Sequence, residues 1–214
     1  MLKIENFSKK YNNHTIIAIE ELSIPEGIHW FKGVNGSGKS TFFRSVAGII
    51  PFDGKILWKN LDIRKDSVNY RMKVNMSEAD PAYPDYLTGY DLLSFIAQAK
   101  QAAPSQLNQL AEKIGVDIYW KSPIGTYSSG MLKKISLLSA FLGHPSLIML
   151  DEPLITIDKN SVAIIYDLVK EYALNQGVSF LLSSHQDFLT GGSEAKLSIK
   201  NIYLVQDQTI TQQV

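Results

Sequence analysis

The sequence predicts an α/β fold around a mainly parallel sheet, and three observations carry that reading. Gly33 to Thr41 read GVNGSGKST, set between a short apolar segment, 28–31, and a helix-like run, 41–47. Two apolar blocks, 147–150 and 178–182, have the composition of parallel strands covered on both faces. Between those blocks Val162, Ile165, Leu168, Val169 and Tyr172 recur at helical spacing.

The elements follow in order. Segments 2–7, 15–24, 28–31 and 55–59 are β-rich and separated by turn signals at Asn12-Asn13, Pro25-Gly27 and Asp53-Gly54. Helix 41–47 is closed by Gly48 and then Pro51. The middle of the chain reads as helical. Thr88 is placed to cap a helix over 90–100, and Ser105 precedes an amphipathic run to Ile114, stopped by Gly115. There is no internal repeat and no low-complexity tract.

Composition excludes several classes. The 214 residues carry zero formal net charge and only three arginines, Arg44, Arg64 and Arg71, so no basic footprint for nucleic acid exists. The absence of cysteine rules out disulfides and thiolate metal sites. The start, MLKIENFSKKY, is no signal peptide, and runs such as 147–150 are too short to span a bilayer. A soluble, cytoplasmic chain is expected, with any membrane part supplied by another polypeptide.

The glycine loop fits the phosphate-binding pattern G-x-x-x-x-G-K-[ST], with Gly33, Gly38, Lys39 and Ser40 in its fixed positions. Glycines let the backbone curl until successive N–H groups point inward, here across Asn35, Gly36 and Ser37. The helix that opens near Thr41 turns its positive end to the same anion. Lys39 is expected on the β- and γ-phosphates and Ser40 on magnesium. The block SLIMLDEP then places Asp151 and Glu152 at a strand's carboxyl end, and GVSFLLSSH does the same for Ser183, Ser184 and His185. Ligands of open α/β sheets sit at that end. Asp151 is read as a magnesium ligand and Glu152 as the group that orients or deprotonates water, while His185 is read as a γ-phosphate contact.

The order GVNGSGKST, YSSGM (127–131), LIMLDEP, SSH resembles the nucleotide-binding subunit of ABC transporters, of the short exporter-like type. YSSGM stands where that family has L-S-G-G-Q: Ser128 and Gly130 match, while Tyr127, Ser129 and Met131 depart from it. The resemblance covers essentially the whole chain. It implies a P-loop NTPase core with an N-terminal antiparallel β subdomain and an inserted α-helical subdomain. One domain, 1–214, would comprise a nucleotide-binding core (1–76 and 144–214) and a helical subdomain (77–143). It implies ATP and Mg²⁺, and a face-to-face dimer, of identical or different halves, around two ATP molecules. Ser128, Ser129 and Gly130 would then act in trans on the partner's nucleotide, Asp158 would lie in the loop that communicates across the dimer, and Tyr11 would stack on adenine. A separate membrane-spanning subunit would hold the chain at the inner face of the cell membrane.

Two departures bear on activity. Glu78 stands where the family has glutamine; as a carboxylate it is able to ligate magnesium, but it cannot donate a hydrogen bond. Leu154, Ile155 and Ile157 replace small or polar residues, and a slow or asymmetric ATPase is one expectation. Tyr83, Tyr86, Leu87 and Tyr90 either line the groove for a membrane partner's helix or form core of the helical lobe. The favoured function is an ATPase subunit that powers a transporter. The alternative is a soluble switch of the same superfamily acting on ribosomes, DNA or a regulatory protein, against which stand the single glycine loop and the lack of sustained heptads. A GTPase is disfavoured because N-K-x-D is absent.

Overall fold

The computed structural model describes residues 1–184 and 197–213. The chain opens with a hairpin of β1 (Leu2–Tyr11) and β2 (His14–Ile24). Asn12 and Asn13 both take left-handed φ, 46° and 64°, as a two-residue hairpin turn requires. Antiparallel pairing of β1 with β4 (Asp53–Trp58) and of β4 with β5 (Leu61–Asp62) completes a sheet of order β2-β1-β4-β5.

The second sheet has the order β10-β9-β3-β8-β7-β6. It comprises β3 (Ile28–Lys32), β6 (Val74–Ser77), β7 (Leu147–Asp151), β8 (Ser179–Ser184), β9 (Ile199–Gln206) and β10 (Thr209–Gln213). Every pairing in it is parallel except β9 with β10. The expected architecture, antiparallel N-terminal sheet plus mainly parallel sheet, is therefore present.

Strand alternation divides the core in two. Leu147, Met149 and Leu181 face one cluster with Phe42, Phe43 and Phe31, whereas Ile148, Leu150, Phe180 and Leu182 face the other. The first is covered by α1 (Lys39–Val46), the antiparallel sheet and α2 (Ser67–Lys73). The second is covered by α3 (Gly89–Ala99), α4 (Pro104–Ile114), α5 (Ser129–Ala140) and α6 (Lys159–Gln176). With both faces covered, β7 and β8 are buried throughout, which explains their unbroken apolar runs.

The expectations differ from the structure in four places. Asp53-Gly54 is not a turn: both lie in β4, where the register slips opposite Asn6, and Gly54 (φ 92°) lies against the Asn6 carbonyl, where a side chain would not fit. Helix α1 starts at Lys39, since Gly38 (φ 102°) makes the turn into it. Helix α4 starts at Pro104, so Ser105 falls in its first turn and caps nothing. Strand β6 escapes the apolar pattern because it is short and holds buried Asn75, whose amide donates to the Ala140 (2.8 Å) and Leu142 (2.9 Å) carbonyls at the end of α5.

Thr88 does cap α3. Its hydroxyl accepts from Asp91 N–H (3.1 Å), and the Asp91 carboxylate accepts from Thr88 N–H (3.2 Å). Thr88→Ala should lower the unfolding free energy by about 1 kcal/mol in urea titration; no change would mean that tertiary packing alone fixes the start of α3.

Candidate nucleotide site

Parallel pairing brings the chemistry to one edge. β3 ends at Lys32 opposite Ser184 of β8, and β7 ends at Asp151 opposite Ser183. Asp151 has the same strand parity as Leu147 and Met149, so it shares the α1 face of the sheet. The loop Gly33 to Gly38 leaves β3 there and runs into α1.

Close packing dictates the glycines. A Cβ on Gly33 would come within 2.6 Å of the Val205 carbonyl and the Ser37 hydroxyl, and one on Gly38 within 2.8 Å of Ile17. Gly36 needs only its left-handed φ of 80°. Asn35 and Ser40 are exposed and Thr41 is half-buried, all at the loop-to-helix junction. Ser37 Oγ is buried and has no hydrogen-bond partner among the described residues. Buried polar groups rarely stay unpaired, so this hydroxyl marks where an oxygen-rich ligand would sit.

Lys39 lies in the middle of the site, 5% exposed. Its ammonium donates to the carbonyls of Gly33 (2.7 Å) and Val34 (3.1 Å) and lies 3.8 Å from Glu152 Oε1. Glu152 is itself buried and holds a left-handed φ of 45°, a conformation a non-glycine residue keeps only when its surroundings impose it. Its N–H donates to Ser183 Oγ (3.1 Å), and that hydroxyl donates in turn to the Asp151 carboxylate.

Helix α5 packs on the other face of the sheet and reaches the ends of its strands. The Ser128 hydroxyl caps it, accepting from Met131 N–H (3.2 Å), and Ser129 opens its first turn. A Cβ on Gly130 would lie 2.6 Å from the Thr156 carbonyl, so only glycine fits against the segment after Glu152. Tyr127 is turned away from this edge. Its hydroxyl accepts from Gly89 N–H (3.1 Å) and donates to the Ser122 carbonyl (2.9 Å), tying the start of α5 to the start of α3. One turn into α5, buried Lys133 donates to the carbonyls of Glu78 and Asp151, each at 2.6 Å. Burial pulls Lys133 down to about 8, against Asp151, Glu152, Asp80 and Glu78, which favour its charged form.

The remaining expected residues fall as follows. The Glu78 carboxylate faces Arg44 Nε at 3.4 Å, and its N–H donates to Ser136 Oγ (3.1 Å). Asp158 caps α6, accepting from Ser161 N–H (2.9 Å) and hydroxyl (2.7 Å), and pairs with Lys134 at 2.8 Å. The Lys134 ammonium first, and then Ser161, hold its carboxyl well below the usual range. Tyr11 ends β1, half exposed, with the Lys9 ammonium 4.6 Å from its ring centre. Tyr83 and Leu87 pack against the core, while Tyr86 and Tyr90 are exposed, Tyr90 lying edge-on against the Trp120 ring. His185 lies outside the described residues.

Sequence reasoning placed Ser183 at the ligand end of its strand but assigned it no partner, and it missed Lys133 and Arg44 as parts of this site. Lys133 reads only as one of two adjacent lysines, with Lys134, in a helix otherwise built of apolar and small residues. Arg44 gave no local signal. Ser183→Ala should leave Glu152 N–H unpaired and lower stability by about 1–3 kcal/mol in denaturant titration; a loss below about 0.5 kcal/mol would remove Ser183 as an anchor.

No helix among the described residues is long and apolar enough to cross a membrane. No group of three or more His, Asp or Glu able to hold a metal occurs among them either. The sequence profile of the ABC transporter family matches residues 21–155. The chain is 27% identical over 193 residues to the lantibiotic transport ATP-binding protein SrtF of Streptococcus pyogenes, covering 86% of this chain and 80% of that one. It is 30% identical over 165 residues to the cytochrome c biogenesis ATP-binding export protein CcmA of Yersinia pestis, covering 76% and 75%. The solved dimer of the ATP-binding cassette MJ0796 bound to ADP and Pi has a TM-score of 0.82 against this chain, with 18% identity and coverage of 100% and 98%. At that identity the last likeness speaks for the fold alone. The family match spans more than half of the sequence, and this chain belongs to the ABC transporter family as one of its ATP-binding, ATP-hydrolysing subunits.

Proposed function

We propose that the loop from Gly33 to Thr41 binds ATP, that Glu152 drives its hydrolysis, and that the cycle powers a separate membrane-spanning subunit. The observation that carries this reading is the convergence of Lys39 and Glu152, buried and 3.8 Å apart, beside the unpartnered Ser37 hydroxyl. Lys39 now donates to carbonyls of its own loop. Phosphate oxygens are stronger acceptors, so ATP takes over those donors while the loop N–H groups and α1 face its charge. Glu152 would then accept a proton from the attacking water.

The donor set suits magnesium, which binds through one or two protein oxygens plus substrate phosphates. Ser40 and Asp151 would hold the ion, which would neutralise charge developing on the transferred phosphoryl group. Glu78 remains a candidate third oxygen, but its carboxylate is engaged by Arg44. His185 is assigned the γ-phosphate contact that the motif order implies, and Tyr11 the adenine ring. Ser128, Ser129 and Gly130 act on the nucleotide of a second subunit, identical or not, with Asp158 in the loop between them.

Transport is supported by the likeness to SrtF and CcmA, named for lantibiotic transport and for cytochrome c biogenesis export. Exposed Tyr86 and Tyr90 offer an aromatic surface to the membrane partner, which would keep the chain at the inner face of the membrane. Extraction of the tagged chain in mild detergent should recover a stoichiometric multi-span membrane protein by mass spectrometry. Recovery alone, or with ribosomes or regulators, overturns the transport reading.

Glu152→Gln should keep ATP binding, cut turnover by about 10²- to 10⁴-fold and trap a dimer visible by light scattering. A variant that stays monomeric at saturating ATP refutes the sandwich. Lys39→Ala should abolish hydrolysis or nucleotide binding, and unchanged turnover would remove the loop from the site.

A further inference from the structure

The peptide unit between Asp151 and Glu152 is held at both ends. Its N–H donates to Ser183 Oγ at 3.1 Å, and its carbonyl accepts from the Lys133 ammonium at 2.6 Å. The same ammonium donates at 2.6 Å to the carbonyl of Glu78, the residue that follows β6. One turn further along α5, Ser136 Oγ accepts from Glu78 N–H (3.1 Å) and lies 3.0 Å from Ser77 Oγ. Lys133 thus spans the ends of two adjacent parallel strands, and its own backbone belongs to the helix that Ser128 begins.

We propose that Lys133 is a positioning residue for hydrolysis: together with Ser183 it fixes the plane of the Asp151–Glu152 peptide, and so holds Glu152 in its left-handed conformation, aimed at the reacting phosphate. The inference rests on the reading of Glu152 as the group that activates water.

The physical reason lies in what a buried ammonium costs and what it supplies. Lys133 is 1% exposed, so desolvation of its ammonium offsets much of what its two hydrogen bonds contribute to stability. What only a multi-proton donor supplies is a simultaneous grip on two carbonyls from different strands. Glu152, with φ at 45°, would otherwise tend to relax toward the ordinary regions of backbone space, and its carboxylate would swing with the peptide. Misplacing a catalytic group by about 1 Å is enough to cost about a hundredfold in rate.

The test compares Lys133→Met, which keeps length and removes every donor, with Lys133→Gln, which keeps a shorter donor amide. ATPase turnover, nucleotide affinity by titration and thermal melting are measured on the full chain. Lys133→Met removes the donor from the Glu78 and Asp151 carbonyls and should lower the melting temperature by a few degrees, yet bind ATP within about twofold and lose between about tenfold and a hundredfold in kcat. Lys133→Gln should recover part of that loss. Turnover of Lys133→Met within about twofold of wild type overturns the proposal, as does a kcat loss matched by an equal loss in nucleotide affinity. If the Met variant does not fold, Lys133→Gln decides: kcat reduced at least about threefold with affinity intact supports the role, and any other result overturns it. Glu152→Gln is run beside them. Wild-type turnover there refutes the reading of Glu152 itself, whereas an inactive Glu152→Gln beside a fully active Lys133→Met refutes only the role of Lys133.

Discussion

Parallel pairing of β7 with β8, in the register that sets Asp151 opposite Ser183, is the constraint on which the site depends. Both strands are covered on two faces, so side-chain parity is fixed by the core rather than by the site. Leu147 and Met149 must face the cluster around Phe42 and Phe43, and Asp151, next in that parity, is carried to the same side. A one-residue slip would send every side chain of β7 to the opposite face. The α1 helix packs on that face, which brings Lys39 within ion-pair reach of Glu152.

Concentrating charge there is expensive. Lys39, Lys133, Asp151 and Glu152 are all nearly excluded from water. Lys39 and Lys133 are held by charge-assisted hydrogen bonds to main-chain carbonyls and Asp151 by one from Ser183, while the Glu152 carboxylate lies 3.8 Å from the Lys39 ammonium. Such an arrangement contributes little net stability compared with a well-packed apolar one. Its concentration at the carboxyl edge of the sheet agrees with a site built to meet a polyanion.

Helix α5 has two tasks at once. Its first turn presents Ser128, Ser129 and Gly130, and Gly130 lies so close to the Thr156 carbonyl that no side chain fits between the start of α5 and the segment after Glu152. The Lys134–Asp158 pair reinforces that junction at 2.8 Å. From the next turns, Lys133 and Ser136 hold the strand ends that carry Asp151 and Glu78. On the proposed dimer reading, the surface that would meet the partner's nucleotide is rigidly tied to this subunit's own site. Tyr127 extends the tie to α3, beside exposed Tyr86 and Tyr90.

Features that are local or periodic are specified by the order of residues along the chain. The spacing from Gly33 to Thr41, the apolar runs that end in Asp151 and Ser183, and the cap at Thr88 were legible because neighbouring residues specify them. The order of four motifs was enough to point to the family that the profile match then showed. Tertiary structure alone decided which distant groups meet. Lys133 reaches Asp151 across 18 residues and Glu78 across 55, and no periodicity marks a lysine that will be buried between two strand ends. The pairing of Glu78 with Arg44 and the partition of the aromatics around Tyr86 were hidden for the same reason. Residues far apart in the chain are juxtaposed by sheet order and helix packing, and a side chain's partner is set by that geometry, which no single stretch of sequence contains.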